Sequence, residues 1–267
     1  MSRKAAFFDI DGTIYREGLI TEVFKKIIKY DLVDEKKWYK EVKPAYINWD
    51  KRQGDYDTYL LKMVDVYTEA ILGLDKYHID YIAKKVIEQK GDRVYTFSRE
   101  RIKWHKEQGD IVIAISGSPI ELVKEMSSKY NMDDYRGTIY ELDSENKYNG
   151  NIIPMWDSES KEKAIKELCE KYDIDLSQSY AYADTAGDFT MLKSVGIPFA
   201  INPTRELISK IMDDEELKEK INIIVERKDA TYKLVLNTTD NQTKSFNLKV
   251  NYIEDNTKKI TDSSKID

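Results

Sequence analysis

Three short apolar runs constrain this chain more than any other feature. Ala5–Ile10, Ile111–Ile115 and Tyr180–Ala183 are each too short for an ordinary helix, and each gives way to small polar or acidic residues. Runs of this kind, bounded by turn residues, read as strands buried on both faces. Between and after them the apolar residues recur at helical spacing. Leu122, Val123 and Met126 follow the second run, and a helix from about Ser160 to Tyr172 precedes the third. Met191 and Leu192 follow that, before a further run at Ile197–Ile201. Strands alternating with helices imply parallel βαβ units with right-handed crossovers. In such sheets ligands gather beyond the carboxyl ends of the strands. Here those ends carry Asp9 and Asp11, Ser116, and Asp184.

A second rhythm interrupts the first. From about Glu17 to Lys90 no strand pattern occurs, and Leu19-Ile20, Val23-Phe24 and Ile27-Ile28 repeat at helical spacing. Trp38, Val42 and Tyr46 continue the pattern, then Leu60-Leu61, Val64, Tyr67 and Ile71 as far as Gly73, then Tyr77, Tyr81 and Val86 as far as Gly91. After about Asn222 the texture changes again. Tyr232–Leu236 and Phe246–Val250 alternate, Thr238–Gln242 reads as the turn between them, and a polar tail begins near Asn256. The expected organisation is α/β, with a Rossmann-like parallel-sheet core from residues 1–16 and 91–222. An all-helical cap is inserted at 17–90, and a C-terminal β-hairpin extension with its tail covers 223–267.

Composition narrows the classes. Of 267 residues 41% are hydrophobic, enough for a sizeable core, and the 34% that are charged sum to only −6 with the signs interspersed. No basic stripe is present to neutralise a nucleic-acid backbone. No long uncharged apolar segment occurs and Asp9 cuts the N-terminal run, so neither a membrane span nor a signal peptide is expected, and a cytoplasmic location is. The single cysteine, Cys169, cannot form an internal disulfide and reads as a reduced structural residue. His78 and His105 lie in amphipathic helices and read as ordinary surface or core residues, which leaves no Cys/His metal cluster.

Asp9-Ile10-Asp11-Gly12-Thr13 is the strongest local signal. Strand alternation puts Asp9 and Asp11 on the same side. One carboxylate can attack phosphorus while the other protonates the leaving oxygen and later activates water. Asp9, nearer the strand, suits attack and Asp11 suits acid–base work. Gly12 allows a close turn around a phosphate, and Thr13 adds a hydroxyl. Ser116-Gly117-Ser118, just before a helix, offers donors to phosphate oxygens. Lys161 at the start of a helix can neutralise charge on a transferring phosphoryl group, with Lys163 as its rival. Asp184 and Asp188 supply hard oxygen ligands of the kind Mg²⁺ takes, Asp184 completing a site begun by Asp9 and a backbone carbonyl near Asp11. Each cluster also has an ordinary reading as a turn, a helix cap or a solvated lysine. Their order and their places at strand ends make together a phosphoryl-transfer set.

These four clusters resemble the motifs of the haloacid dehalogenase-like superfamily, in order, over a core from about Arg3 to Asn202. The insert after the first motif is similar to the cap of the phosphoserine phosphatase-like branch, as are Ala181-Tyr182-Ala183-Asp184, Val195-Gly196-Ile197-Pro198 and Ile201-Asn202-Pro203. The resemblance implies a Mg²⁺-dependent phosphomonoester hydrolase that works through an aspartyl-phosphate on a small phosphorylated metabolite. It implies Asp9 as nucleophile and Asp11 as general acid/base. Asp9, the Asp11 carbonyl and Asp184 would be the metal ligands, with Asp188 in support. Thr13, Ser116, Gly117 and Lys161 would bind the phosphate. Ala183 stands where the fourth motif usually has glycine. Gly18, beside Glu17, stands where phosphoserine phosphatases carry a cap glutamate, which argues against phosphoserine itself. A phosphomutase using the same aspartyl-phosphate is the alternative, and a phospho-accepting receiver a remote one. The cap is expected to be separable, so that a chain without it still hydrolyses a generic aryl phosphate.

Overall fold

The computed structural model describes residues 2–51, 53–54, 56–236 and 248–252. The described strands are β1 (Ala5–Phe8), β2 (Ile111–Pro119), β3 (Asp134–Leu142), β4 (Tyr148–Ile153), β5 (Tyr180–Ala183), β6 (Ile197–Ile201), β7 (Asn222–Arg227), β8 (Ala230–Leu236) and β9 (Leu248–Tyr252). They form one sheet of order β4-β3-β2-β1-β5-β6-β7-β8-β9. From β3 to β7 every neighbouring pair is parallel, while β4 on one edge and β8 and β9 on the other run antiparallel. β1 is fully buried along its length between β2 and β5. The first strand is thus the centre of the sheet, which follows from its lack of any polar residue before Asp9.

The insert is helical. It contains α1 (Leu19–Lys29), α2 (Glu35–Lys37), a π-helical stretch Trp38–Val42, α3 (Lys43–Asp50), α4 (Tyr56–Ile71) and α5 (Lys76–Lys90). The chain enters and leaves it through paired backbone. Tyr15 bridges Val94, Arg16 N–H donates to Arg93 O, and Tyr95 N–H donates to Ile14 O. The remaining helices are α6 (Thr96–Gln108), α7 (Ile120–Lys129), α8 (Ser158–Tyr172), α9 (Phe189–Ser194), α10 (Arg205–Met212) and α11 (Glu215–Lys220). α6 stops at Gly109, whose φ of +77° is the left-handed geometry that ends helices.

Two boundaries differ from those read in the sequence. β2 does not stop at Ser116 but continues through Pro119, with a register shift against β3 between Ile115 and Pro119. At the other end, Asn222–Arg227 is a further parallel strand beside β6, and it turns at Lys228-Asp229 into an additional antiparallel pair with β8. Charged residues flank Ile223-Ile224-Val225 closely, which hid a buried strand. β8 and β9 do pair antiparallel, Leu236 opposite Leu248, as the alternation indicated. The turn read at Thr238–Gln242 and the tail from Asn256 lie outside the described residues. Among the described residues no helix is long and apolar enough to cross a membrane.

Candidate active site

β1, β2 and β5 end side by side, and their carboxyl ends bring the expected acids together. Asp9 leaves β1 with its N–H bonded to Tyr182 O at 2.9 Å, which fixes it to the neighbouring strand. Lys161, in the first turn of α8, is 3% exposed and donates to Asp9 Oδ1 at 3.0 Å and to Asp188 Oδ1. Lys163 on the same helix is exposed, so helical geometry selects Lys161. Asp157 caps α8 through the Ser160 N–H, which orients that first turn. Asp188 closes a capping box with Thr185, whose hydroxyl donates to Asp188 Oδ2 at 2.7 Å.

Thr13 is fully buried, and its hydroxyl donates to Asp184 Oδ1 at 2.9 Å, so in this arrangement it braces a carboxylate. Gly12 takes φ +82°, and a Cβ there would meet Asp184 Oδ2 at 2.0 Å. The turn after Asp11 therefore needs glycine in order to lie against Asp184. Asp11 takes different hydrogen-bond partners from Asp9. Its Oδ1 accepts the Leu19 N–H at 2.8 Å, the first residue of α1, and its Oδ2 accepts the Ser118 hydroxyl. Ser116 is buried within β2, with Oγ accepting the Ser118 N–H at 3.2 Å. Gly117 leaves room for Trp156, whose Cβ would lie 2.9 Å from an added methyl.

Burial dominates the electrostatics. It pushes the Asp9 carboxyl up to about 8, with Asp188 and Asp11 adding to the rise and Lys161 opposing it. Burial raises Asp184 well above the carboxylate range, and Asp9 and Asp188 reinforce it. Asp11 is raised too, again by burial, against its bonds from Ser118 and Leu19. Lys161 works the other way: burial disfavours its charge, but Asp188 and Asp9 more than compensate and hold it above its ordinary value. Ligand atoms of Asp9, Asp184 and Asp188 all lie within 4.8 Å of one another, and all three residues are buried. Three buried carboxylates around one ammonium are short of positive charge. A hard divalent cation suits such an all-oxygen set, and the donor chemistry fits Mg²⁺. Asp188, expected in a supporting role, lies within this group.

The cleft has two parts. A compartment of about 60 Å³ lies over Asp9, Ser116, Gly117 and Lys161, roofed by Ile20 of α1, Leu60 and Val64 of α4, and Trp156. A wider space of about 570 Å³ adjoins it between core and cap. Asp11 borders both. Trp156 and Thr185 had no assigned role in the sequence, and Ser118 was read only as part of a phosphate-facing turn. Ser118 was visible as a hydroxyl next to the motif serine, but its bond to Asp11 spans 107 positions and has no local signature.

Residues 6–193 match the family described as haloacid dehalogenase-like hydrolase. A Streptomyces azureus protein named inhibition of morphological differentiation protein is 27% identical over 209 residues, covering 78% of this chain and 74% of its own. A histidinol-phosphatase from Neisseria meningitidis is 24% identical over 225 residues, covering 82% and 96%. Among solved structures, a phospho-aspartyl intermediate analogue of phosphoserine phosphatase superposes with a TM-score of 0.55 at 20% identity, over 86% of this chain and 96% of that one. The chain belongs to the haloacid dehalogenase-like hydrolases, and its fold is that of the phosphoserine phosphatases within that family.

Proposed function

We propose that the protein hydrolyses small phosphomonoesters through a phosphorylated Asp9, with Mg²⁺ as cofactor. The observation that carries this reading is the buried cluster of Asp9, Lys161, Asp184 and Asp188 at the ends of adjacent parallel strands. Asp9 Oδ attacks phosphorus, forming a new P–O bond as the P–O bond to the leaving alcohol breaks. Asp11, raised by burial above the ordinary carboxylate range, delivers a proton to that alcohol oxygen. Water then attacks the phosphoryl group with Asp11 taking its proton, which releases phosphate and restores the Asp9 carboxylate. Lys161 and the donors of Ser116 and Gly117 hold the phosphoryl oxygens as charge shifts among them. A Mg²⁺ ion held by Asp9 and Asp184, with Asp188 behind and the Asp11 carbonyl as a further ligand, would supply the remaining positive charge.

The narrow compartment of about 60 Å³, lined by Ile20, Leu60 and Val64, supports esters of small molecules. The Neisseria relative's name, histidinol-phosphatase, supports the same substrate class. The test is Asp9→Asn assayed with Mg²⁺ against a panel of small phosphomonoesters. The amide keeps the shape but cannot attack, so kcat should fall at least ~10³-fold. Near-parental turnover by the purified variant would defeat the mechanism.

A further inference from the structure

Asp11 is held by two partners of different kinds, and they divide its carboxylate. Oδ1 accepts the Leu19 N–H at 2.8 Å, from the first residue of α1 in the cap. Oδ2 accepts the Ser118 hydroxyl at 2.5 Å, from the last turn of β2 in the core. A backbone N–H can only donate. The hydroxyl oxygen of a carboxylic acid is a weak acceptor, so the oxygen facing Leu19 is the poorer place for a proton. The oxygen facing Ser118 is the better one, because a serine hydroxyl both donates and accepts. It can receive a hydrogen bond from the acid and, after a turn about its C–O bond, give one to the carboxylate.

The backbone aims Ser118 at Asp11. β2 shifts its register against β3 between Ile115 and Pro119, and an irregularity of this kind re-aims the side chains it carries. The stretch is then fixed from several sides. Ser118 N–H donates to Ser116 Oγ at 3.2 Å, and the Thr138 hydroxyl donates to Gly117 O at 2.7 Å. Gly137 lets β3 lie so close that an added Cβ there would come 3.1 Å from Ser118 O. Ser118 is 4% exposed, and it lines the narrow compartment together with Asp9, Ser116 and Lys161. The Asp11 oxygen that Ser118 bonds is therefore the one turned toward the phosphoryl group, while its other oxygen is committed to the cap.

We propose that Ser118 is a positioning residue for proton transfer, keeping the mobile proton of Asp11 on Oδ2 where the leaving oxygen can take it. This rests on the phosphatase reading above and adds a residue to its machinery. In the first step the proton passes from Asp11 Oδ2 to the alcohol oxygen as the P–O bond breaks, and the Ser118 hydroxyl turns to donate to the carboxylate. In the second, Oδ2 takes a proton from the attacking water and Ser118 ends as it began. The experiment measures kcat/KM for para-nitrophenyl phosphate and benzyl phosphate, esters of similar size, with Mg²⁺ on the full chain and on Ser118→Ala. Nitrophenolate leaves without a proton, whereas benzyl alcohol needs one. Ser118→Ala should lower kcat/KM for benzyl phosphate by roughly 10²-fold and move the ratio of the two esters by about tenfold in favour of the nitrophenyl ester. Because the readout is a ratio, partial unfolding of the variant lowers both rates by one factor and does not move it. An unchanged ratio overturns the inference and leaves the phosphatase reading standing. If the parent hydrolyses neither ester, both fall together.

Discussion

At Gly12 a missing side chain holds two parts of the site together. The residue sits at φ +82°, where a Cβ costs roughly 1–2 kcal/mol by itself. The heavier consequence is steric, because that Cβ would lie 2.0 Å from an oxygen of Asp184 and would displace a proposed metal ligand. Gly12→Ala should therefore remain folded while losing most of the Mg²⁺-induced rise in melting temperature, with kcat down at least ~10²-fold. A parental Mg²⁺ shift in the variant would show that Asp184 does not depend on this contact. The sequence displayed Gly12 and Asp184 as members of separate motifs, and residue types sufficed to nominate them. Their contact spans more than 170 positions, and so does the bond from Thr13 to Asp184. The parallel pairing of β1 with β5 creates both. Residue chemistry was thus legible early, whereas which hydroxyl serves a phosphate and which serves a carboxylate needed the fold.

At the scale of elements, α6 shows what periodicity can and cannot reveal. A helix around His105 was readable in the sequence, but its two anchors were not. Its first N–H groups, Thr96 and Phe97, donate to Glu226 of β7, at 3.0 and 2.8 Å, a cap supplied by a strand about 130 residues away. Near its other end His105, read in the sequence as ordinary, is fully buried between Asp110 and the Tyr182 hydroxyl, at 2.8 Å from each. Burial lowers its pKa to about 4, with Arg101 acting in the same direction and Asp110 resisting. The folded protein therefore takes up this proton less readily than the unfolded chain, whose histidine titrates near 6.5. The stability contributed is complete above pH 6.5 and is lost as pH falls through the window from 6.5 to 4, by on the order of 3 kcal/mol at its lower end. His105→Gln removes the titrating group and keeps an N–H to offer Asp110. Melting temperatures followed from pH 7 to 4.5 should fall less steeply in the variant than in the parent. Parallel curves would mean that His105 titrates alike in the folded and unfolded states. α1 carries the complementary lesson. Gly18 offers no side-chain cap, and Asp11 caps the helix instead, so the proposed general acid is tied to the cap's first turn.

For the whole molecule, the helices between Leu19 and Lys90 are packed into the main apolar cluster, which argues against a detachable lid. Periodicity shows that a helix has an apolar face and cannot show what that face meets. Leu19, Val23, Phe24 and Ile27 of α1, with Ile79, Ile82, Val86 and Ile87 of α5, share one buried cluster with Phe8 of β1 and with Leu122, Val123 and Met126 of α7. The insert is also stapled to the β3–β4 hairpin. Gly73 N–H donates to Tyr148 O at 2.8 Å, Tyr148 N–H to Leu74 O at 3.1 Å, and Lys76 N–H to Asn146 O at 3.0 Å. Removing residues 17–90 would bare the α7 side chains to water. At ~1.5–3 kcal/mol for each large aliphatic, those three alone cost on the order of 5–9 kcal/mol. A domain has only about 5–15 kcal/mol in total to lose. A chain lacking 17–90 should thus show no cooperative thermal transition and no hydrolysis of an aryl phosphate, in place of the residual activity expected from a detachable lid. Far-UV circular dichroism melts of the purified truncation, run beside the parent, decide the matter. A cooperative melt with retained Asp9-dependent hydrolysis would mean that α1 and α5 are ornaments on a self-sufficient core, and that the continuous apolar cluster contributes far less than its burial implies.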